Sequence, residues 1–202
     1  MRSKPWGRFE KEAEGSLPGT FGAIRTFWNV LAGNSERQES RRRVESLSGA
    51  VRILVVCHGN ICRSPVVEIL LRGQLPLERF RVRSCGLLPR EGAAPPEEYA
   101  VQARRFGIDL SGHRSRYISK TLLEWSNLIV IMDRRNLDLL QEFGASAIEK
   151  SVWLGAWDPE GPLEIPDPFG RSPEEMRTII GRMWRASLNL VRSLSPESSP
   201  SD

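Results

Sequence analysis

Residues 127–132 read NLIVIM, an unbroken apolar run of the kind found in strands covered on both faces. VRILVV at residues 51–56 is a second such run. Between and after them come stretches whose apolar residues recur at helical spacing. Strands separated by helices imply a parallel sheet with helices on both faces. The chain is therefore expected to be α/β, a three-layer fold with a four-stranded parallel sheet flanked by helices. In such sheets ligands bind beyond the carboxyl ends of the strands.

The expected elements follow in order. Residues 51–56 form the first strand, and 65–75 a helix carrying Val66, Val67, Ile69, Leu70 and Leu71. Residues 79–84 are a second strand, followed by a loop rich in glycine and proline over 86–96 and a helix over 97–106 stopped by Gly107. A short helix at 120–125 leads to the third strand, 127–132, and 134–143 is helical up to Gly144. Residues 151–154 supply the fourth strand, and 173–194 a long last helix opened by Pro173.

The chain of 202 residues, 40% hydrophobic and 27% charged, suits one ordinary domain with some length left over. Residues 1–49 read as an N-terminal extension: one amphipathic helix over 20–32, with Phe21, Ile24, Trp28 and Leu31 on a stripe, then a charged linker over 36–45. That stripe would pack on the main domain or serve a partner protein. Residues 50–195 form the domain, and SPESSPSD at the end reads as a disordered tail over 196–202.

Three cysteines, an odd number without paired metal-ligand spacing, argue against a secreted disulfide framework and for a reducing, cytoplasmic setting. No stretch approaches the length of a transmembrane span. The net charge is +4, but the basic residues are scattered apart from Arg41, Arg42 and Arg43, so no nucleic-acid partner is expected.

After the first strand the sequence continues VVCHGNICRSP, residues 55–65. Cys57, His58, Gly59, Asn60, Ile61, Cys62, Arg63 and Ser64 form a loop running into a helix N-terminus, where backbone N–H groups can surround phosphate oxygens. Gly59 permits positive φ and close approach, and Asn60 is among the few other residue types that tolerate it. Arg63 can clamp two oxygens with its planar fork. The same positive surroundings favour a thiolate over a thiol, and Ser64 could donate a hydrogen bond to that sulfur. These are the parts of a phosphate-binding loop with a sulfur nucleophile.

Cleaving a phosphate ester also needs an acid for the leaving oxygen. Asp167, in the proline-stiffened IPDPFG of residues 165–170, is the best candidate, although Asp-Pro is also a common turn. Asp158-Pro159 is a second such pair, and spacing alone does not choose between them. Asp133 either lies near the site or caps the helix that follows it.

Residues of about 51–194 resemble the low-molecular-weight protein tyrosine phosphatase family, whose loop reads V-C-x-G-N-x-C-R-S-P and whose acid lies in a late D-P-aromatic motif. Ser84-Cys85-Gly86 resembles the family's S-A-G, and Gly112 to Arg116 its G-H-x-[AS]-R. The resemblance implies that Cys57 attacks phosphorus to form a phosphocysteine, that Arg63 binds the phosphoryl group, and that Asp167 protonates the leaving phenolate and then activates water. It implies no metal and no cofactor, and it gives Asn60, Ser84 and His113 the role of holding the loop in shape. Cys62 has two readings, a redox guard that pairs with Cys57 or a small buried residue. The implied partner is a phosphotyrosine protein, a tyrosine kinase being one such substrate in bacterial relatives.

Rival activities share the loop. Thioredoxin-linked arsenate reductases relay oxidation through two further downstream cysteines, and this chain has none after Cys85. Protein arginine phosphatases tend to place Thr where Ile61 stands, so Ile61 favours phosphotyrosine. Against this, Phe169 is followed by Gly170, as in the arginine enzymes, and residues 87–95 lack an aromatic. A phosphate-binding regulator without turnover would be marked by loss of Cys, Arg or Asp, and all three are present.

Overall fold

Every side chain of Leu128–Ile131 is buried, and Val51–Cys57 buries all but Arg52. Both strands therefore lie inside the sheet rather than at its rim. The computed structural model describes the backbone of residues 20–195 and the side chains of residues 33–195. In chain order the elements are α1 (Thr20–Glu45), β1 (Val51–Cys57), α2 (Arg63–Arg72), β2 (Phe80–Gly86), α3 (Glu97–Arg104), α4 (Lys120–Trp125), β3 (Leu128–Ile131), α5 (Arg134–Gln141), α6 (Ala145–Glu149), β4 (Ser151–Trp153), a 3-10 helix at Leu154–Trp157, and α7 (Pro173–Leu194). Among the described residues the sheet has four parallel strands in the order β2-β1-β3-β4.

The register sets the site. Val55 pairs with Ser84 on one side and Val130 on the other, and Cys57 pairs with Gly86. The ends of β1 and β2 thus finish level, beside the loop that follows Cys57. Helix α7 packs on α2 and α3 and is opened by a capping box between Ser172 and Glu175, with Pro173 in its first turn.

Several boundaries differ from those expected. Strand β2 runs on to Gly86 because Cys85 and Gly86 complete the ladder with Val56 and Cys57, which their residue types do not signal. Helix α2 starts at Arg63, two residues before Pro65, a first-turn position where proline's missing N–H costs no helical bond. Helices α3 and α5 end at Arg104 and Gln141, and the chain then tightens through Phe106 N–H to Ala103 O and Phe143 N–H to Leu140 O. Strand β4 stops at Trp153 as Leu154 enters the 3-10 helix. Helix α6, only five residues, gives no periodic signal.

The largest departure is at the start of the chain. Packing divides it into Met1–Ala32 and Gly33–Asp202. The expected charged linker over 36–45 is helical, as the C-terminal part of α1. Its charges are spent on the domain surface. Val44 and Ser40 are buried, and Arg37, Arg41 and Arg43 bond to domain carbonyls. The expected stripe over 20–32 falls on helical backbone, but those side chains lie outside the described residues, as do residues 1–19 and the tail over 196–202.

This part of α1 covers the open edge of the sheet. Trp153 N–H, on the outward side of β4, donates to Ser40 Oγ at 3.1 Å. Arg43 donates to Ser151 O and Ile148 O, each at 2.8 Å. An unpaired strand edge is a template for unwanted pairing, and a helix laid along it removes the template.

Candidate active site

The loop after β1 is held by its own residues. Asn60 is the non-glycine residue with positive φ among those described, at 51°, while Gly59 has no positive φ. The expectation for Gly59 is thus corrected: the left-handed turn falls one residue later, on Asn60. A close backbone approach is made by a second glycine. A Cβ on Gly86 would lie 2.9 Å from the Gly59 carbonyl carbon and 3.0 Å from Asn60 N, so the end of β2 needs glycine to pass beneath the loop.

Asn60, fully buried, uses both ends of its amide. Its Nδ2 donates to Ser64 Oγ and to Ser84 Oγ, both at 2.8 Å, and its Oδ1 accepts from Arg116 N–H at 2.9 Å. Ser84 in turn donates to Glu68 Oε2 at 2.6 Å. His113 Nε2 stands 2.7 Å from the Asn60 carbonyl, which only accepts, so this nitrogen carries the proton. Leu87 N–H donates to Cys57 O and His58 O, fastening the start of the loop to the end of β2.

These bonds fix a proton's direction. Ser64 Oγ accepts from Asn60 and lies 3.0 Å from Cys57 Sγ, closer than the 3.5 Å to Cys85 O. Its own hydroxyl hydrogen is left for the sulfur. A chain from Glu68 through Ser84, Asn60 and Ser64 therefore ends in a donor aimed at Cys57. All four inner members, Ser84, Asn60, Ser64 and Cys57, are buried. Such a donor stabilises negative charge on sulfur.

Arg63 lies at the first position of α2 and is 1% exposed. Nη1 donates to Asp133 Oδ2 and, at 3.0 Å, to Ile165 O. Nη2 donates to Asp167 Oδ2 at 2.9 Å. Nε is buried with no partner. Burial alone would lower the Arg63 value, but the neighbouring Cys57, Asp167 and Asp133 together raise it. The guanidinium stays charged, with Nε–H free to donate to an anion.

Asp133 satisfies both readings made of it. Oδ1 accepts from Asn136 N–H at 2.9 Å as the cap of α5, while Oδ2 holds Arg63. The two Asp-Pro pairs are now distinguishable. Asp158 is fully buried, bonded to Arg182 Nε at 2.7 Å with Arg185 at 3.5 Å, which is a structural pair. Asp167 meets Arg63, and its side chain is 41% exposed, open to solvent where a leaving group would need a proton. Phe169, 61% exposed, donates its N–H to Asp167 Oδ1 at 3.3 Å, so the aromatic and this carboxylate belong to one turn.

The remaining loop residues serve the surroundings. His58 is half-buried; burial, then Arg135, pushes its value down, and its Nδ1 has no partner. Ile61 packs against the core. Cys62 and Cys85 are free and buried, and burial pushes both thiols up, with Cys57 adding to each. Among the described residues no group of three or more metal-ligating side chains occurs.

Sequence reasoning missed Glu68, Arg116 and Glu164. Glu68 stands four residues after Ser64, one helical turn away on the same face of α2, and that spacing was the available signal. Arg116 contributes a backbone N–H, for which side-chain chemistry gives no sign. Glu164 accepts from Arg134 N–H at 2.9 Å, tying the start of α5 to the segment before Asp167.

Comparison with known proteins agrees with this geometry. Residues 52–199 match the family described as low molecular weight phosphotyrosine protein phosphatase. AmsI of Erwinia amylovora, a probable low molecular weight protein-tyrosine-phosphatase, is 34% identical over 143 residues, 71% of this chain and 96% of the relative. Its crystal structure aligns with a TM-score of 0.68 over 74% of this chain and 97% of that one, at 32% identity. Wzb of Escherichia coli K12 is 36% identical over 146 residues, 72% of this chain and 96% of the relative. The YwlE arginine phosphatase of Geobacillus stearothermophilus is also similar in structure, with a TM-score of 0.65 at 30% identity over 73% of this chain and 94% of that one. A sulfur held by Ser64, a buried guanidinium facing Asp167, and these matches together place the chain in the low-molecular-weight protein tyrosine phosphatase family.

Proposed function

We propose that the chain hydrolyses phosphotyrosine in proteins by two displacements at phosphorus. The Cys57 thiolate attacks, the P–O bond to the tyrosine ring breaks, and Asp167 gives its proton to the departing phenolate. Water then attacks the phosphocysteine, Asp167 takes a proton from that water, and the S–P bond breaks to return the thiolate and release phosphate. The observation that carries this reading is that Arg63 bonds Asp167 while starting the helix that holds Ser64 against Cys57.

The loop residues His58, Gly59, Asn60, Ile61, Cys62, Arg63 and Ser64 bind the phosphoryl oxygens through backbone N–H groups and the Arg63 fork. Asn60, Ser84 and His113 hold that loop. Ile61 and exposed Phe169 wall the ring. A phosphorylated tyrosine kinase is one substrate the resemblance implies. The free, buried cysteines suit the reducing cytoplasm.

The arginine phosphatase reading rests on Phe169 being followed by Gly170 and on the likeness to YwlE. Ile61 and the match to AmsI and Wzb favour phosphotyrosine. Side-by-side rates on phosphotyrosine and phosphoarginine peptides decide between them. The tyrosine peptide should be turned over faster, and Cys57→Ser should abolish both rates; a fully active Cys57→Ser protein would overturn the mechanism.

A further inference from the structure

The segment that ends in Asp167 is gripped from several directions, and one grip comes from a part of the chain that precedes the family match. Arg37, on α1, donates through Nη1 to Gly155 O at 2.5 Å and Asp158 O at 3.2 Å, and through Nη2 to Gly161 O at 2.5 Å. One guanidinium thus collects three carbonyls spanning the turn between the 3-10 helix and the acid. The next stretch is held from the other side by Arg182, which donates to Pro162 O at 2.6 Å and Glu164 O at 3.1 Å. Glu164 accepts from Arg134 N–H, and the Arg134 guanidinium pairs with Glu36 at 2.7 Å, one residue before Arg37. Ile165 N–H then donates to Met132 O, and Ile165 O accepts from Arg63.

From these bonds we infer that Arg37 is a positioning residue for Asp167, so that the frame around the acid begins before residue 52, where the family match begins. The inference rests on the proposed role of Asp167 as the acid. Three carbonyls bonded to one planar cation cannot rotate independently, and the backbone leading to the acid inherits that restraint. Glu36 adds a second hold through Arg134, which adjoins Asp133 and so the partner of Arg63. Removing the Arg37 fork frees the carbonyls of Gly155, Asp158 and Gly161 and loosens the turn, which the Asp158–Arg182 pair still anchors. A displacement of about 1 Å at a reacting group can cost on the order of 100-fold in rate.

The test is a leaving-group series in the full chain, reading kcat/KM, which reports the step in which the phenol departs. Phenyl phosphate needs a proton for its leaving oxygen, whereas para-nitrophenyl phosphate leaves readily without one. Asp167→Ala should lose far more rate on the first than on the second. Arg37→Ala should show the same imbalance in smaller measure, roughly 10-fold more loss on phenyl phosphate than on the nitrophenyl ester. Arg43→Ala, which frees the carbonyls of Ile148 and Ser151, should lower Tm without changing the ratio. If Arg37→Ala fails to fold, Arg37→Lys, which keeps the charge and loses the fork, is read in the same way. An Arg37 variant that loses rate equally on both substrates, or loses none, overturns the inference while leaving the role of Asp167 intact. Absence of the imbalance in Asp167→Ala would instead overturn the acid assignment, and this inference with it.

Discussion

The phosphate loop and the acid segment face each other across Arg63, yet they are held in opposite ways. The loop is nearly self-sufficient: Asn60 bridges to Ser64 four residues on, and the same short stretch supplies sulfur, guanidinium and helix start. From elsewhere, Ser84, His113 and Arg116 each reach Asn60 through a single bond, and Leu87 N–H fastens Cys57 O and His58 O to the end of β2. The acid segment has little structure of its own. Asp167 stands where it does because Arg182, Arg134 and Arg37 hold carbonyls and carboxylates along residues 155–164. A nucleophile that must meet backbone amides gains from local rigidity. An acid that has to serve two successive steps can be set by a frame around it, which also lets distant residues adjust it.

That difference can be broken most visibly at Arg182. Its removal leaves Asp158 fully buried with only the longer Arg185 contact and frees the carbonyls of Pro162 and Glu164. Arg182→Ala should destabilise the protein by about 3–5 kcal/mol, as expected when one partner of a buried ion pair is deleted. Urea unfolding measures it, and a loss below about 1 kcal/mol would mean that the acid segment is self-supporting after all.

A smaller effect is expected at Ser84, where the loop relies on a neighbour. Ser84→Ala removes an acceptor for Asn60 and leaves Glu68 without its 2.6 Å donor, a cost of about 1–3 kcal/mol for the buried Asn60 amide hydrogen left unsatisfied. Its kcat/KM should fall to a similar degree on phenyl and para-nitrophenyl phosphate, since the acid is untouched. A leaving-group imbalance in this variant would show that the two regions are not separately held.

The smallest effect concerns the sulfurs. Burial raises the Cys62 and Cys85 thiols, so both should stay unalkylated by iodoacetamide at pH 8 in the folded protein, while Cys57 is labelled and phosphate slows the labelling. Peptide mapping checks this. Labelling of Cys62 at the rate of Cys57 would mean that the loop opens far more than its bonds suggest.

The contrast also explains what could be read from the residues alone. The apolar runs placed β1 and β3 at the centre of the sheet because burial on both faces leaves no polar alternation, and the loop was legible because its chemistry is contiguous. The choice between Asp158 and Asp167 was not, since it depends on which carboxylate meets Arg182 and which meets Arg63, residues 24 and 104 positions away. The dense charge over residues 36–45 read as a charged linker. Arg37, Arg41 and Arg43 are instead committed to carbonyls more than 100 residues away, a pattern invisible to any local window.

The packing of α1 residues 33–45 along β4 bears on how this protein should be cut. Homology marks a unit starting at residue 52, whereas packing marks one starting at Gly33. A fragment trimmed to the homologous boundary would strip Ser40 from Trp153 N–H and Arg43 from Ser151 O, baring a sheet margin on which a second molecule could add its own strand. Such a fragment would keep every residue proposed to touch phosphate and still be prone to self-association, so the shortest faithful version of this enzyme begins before the enzyme family does.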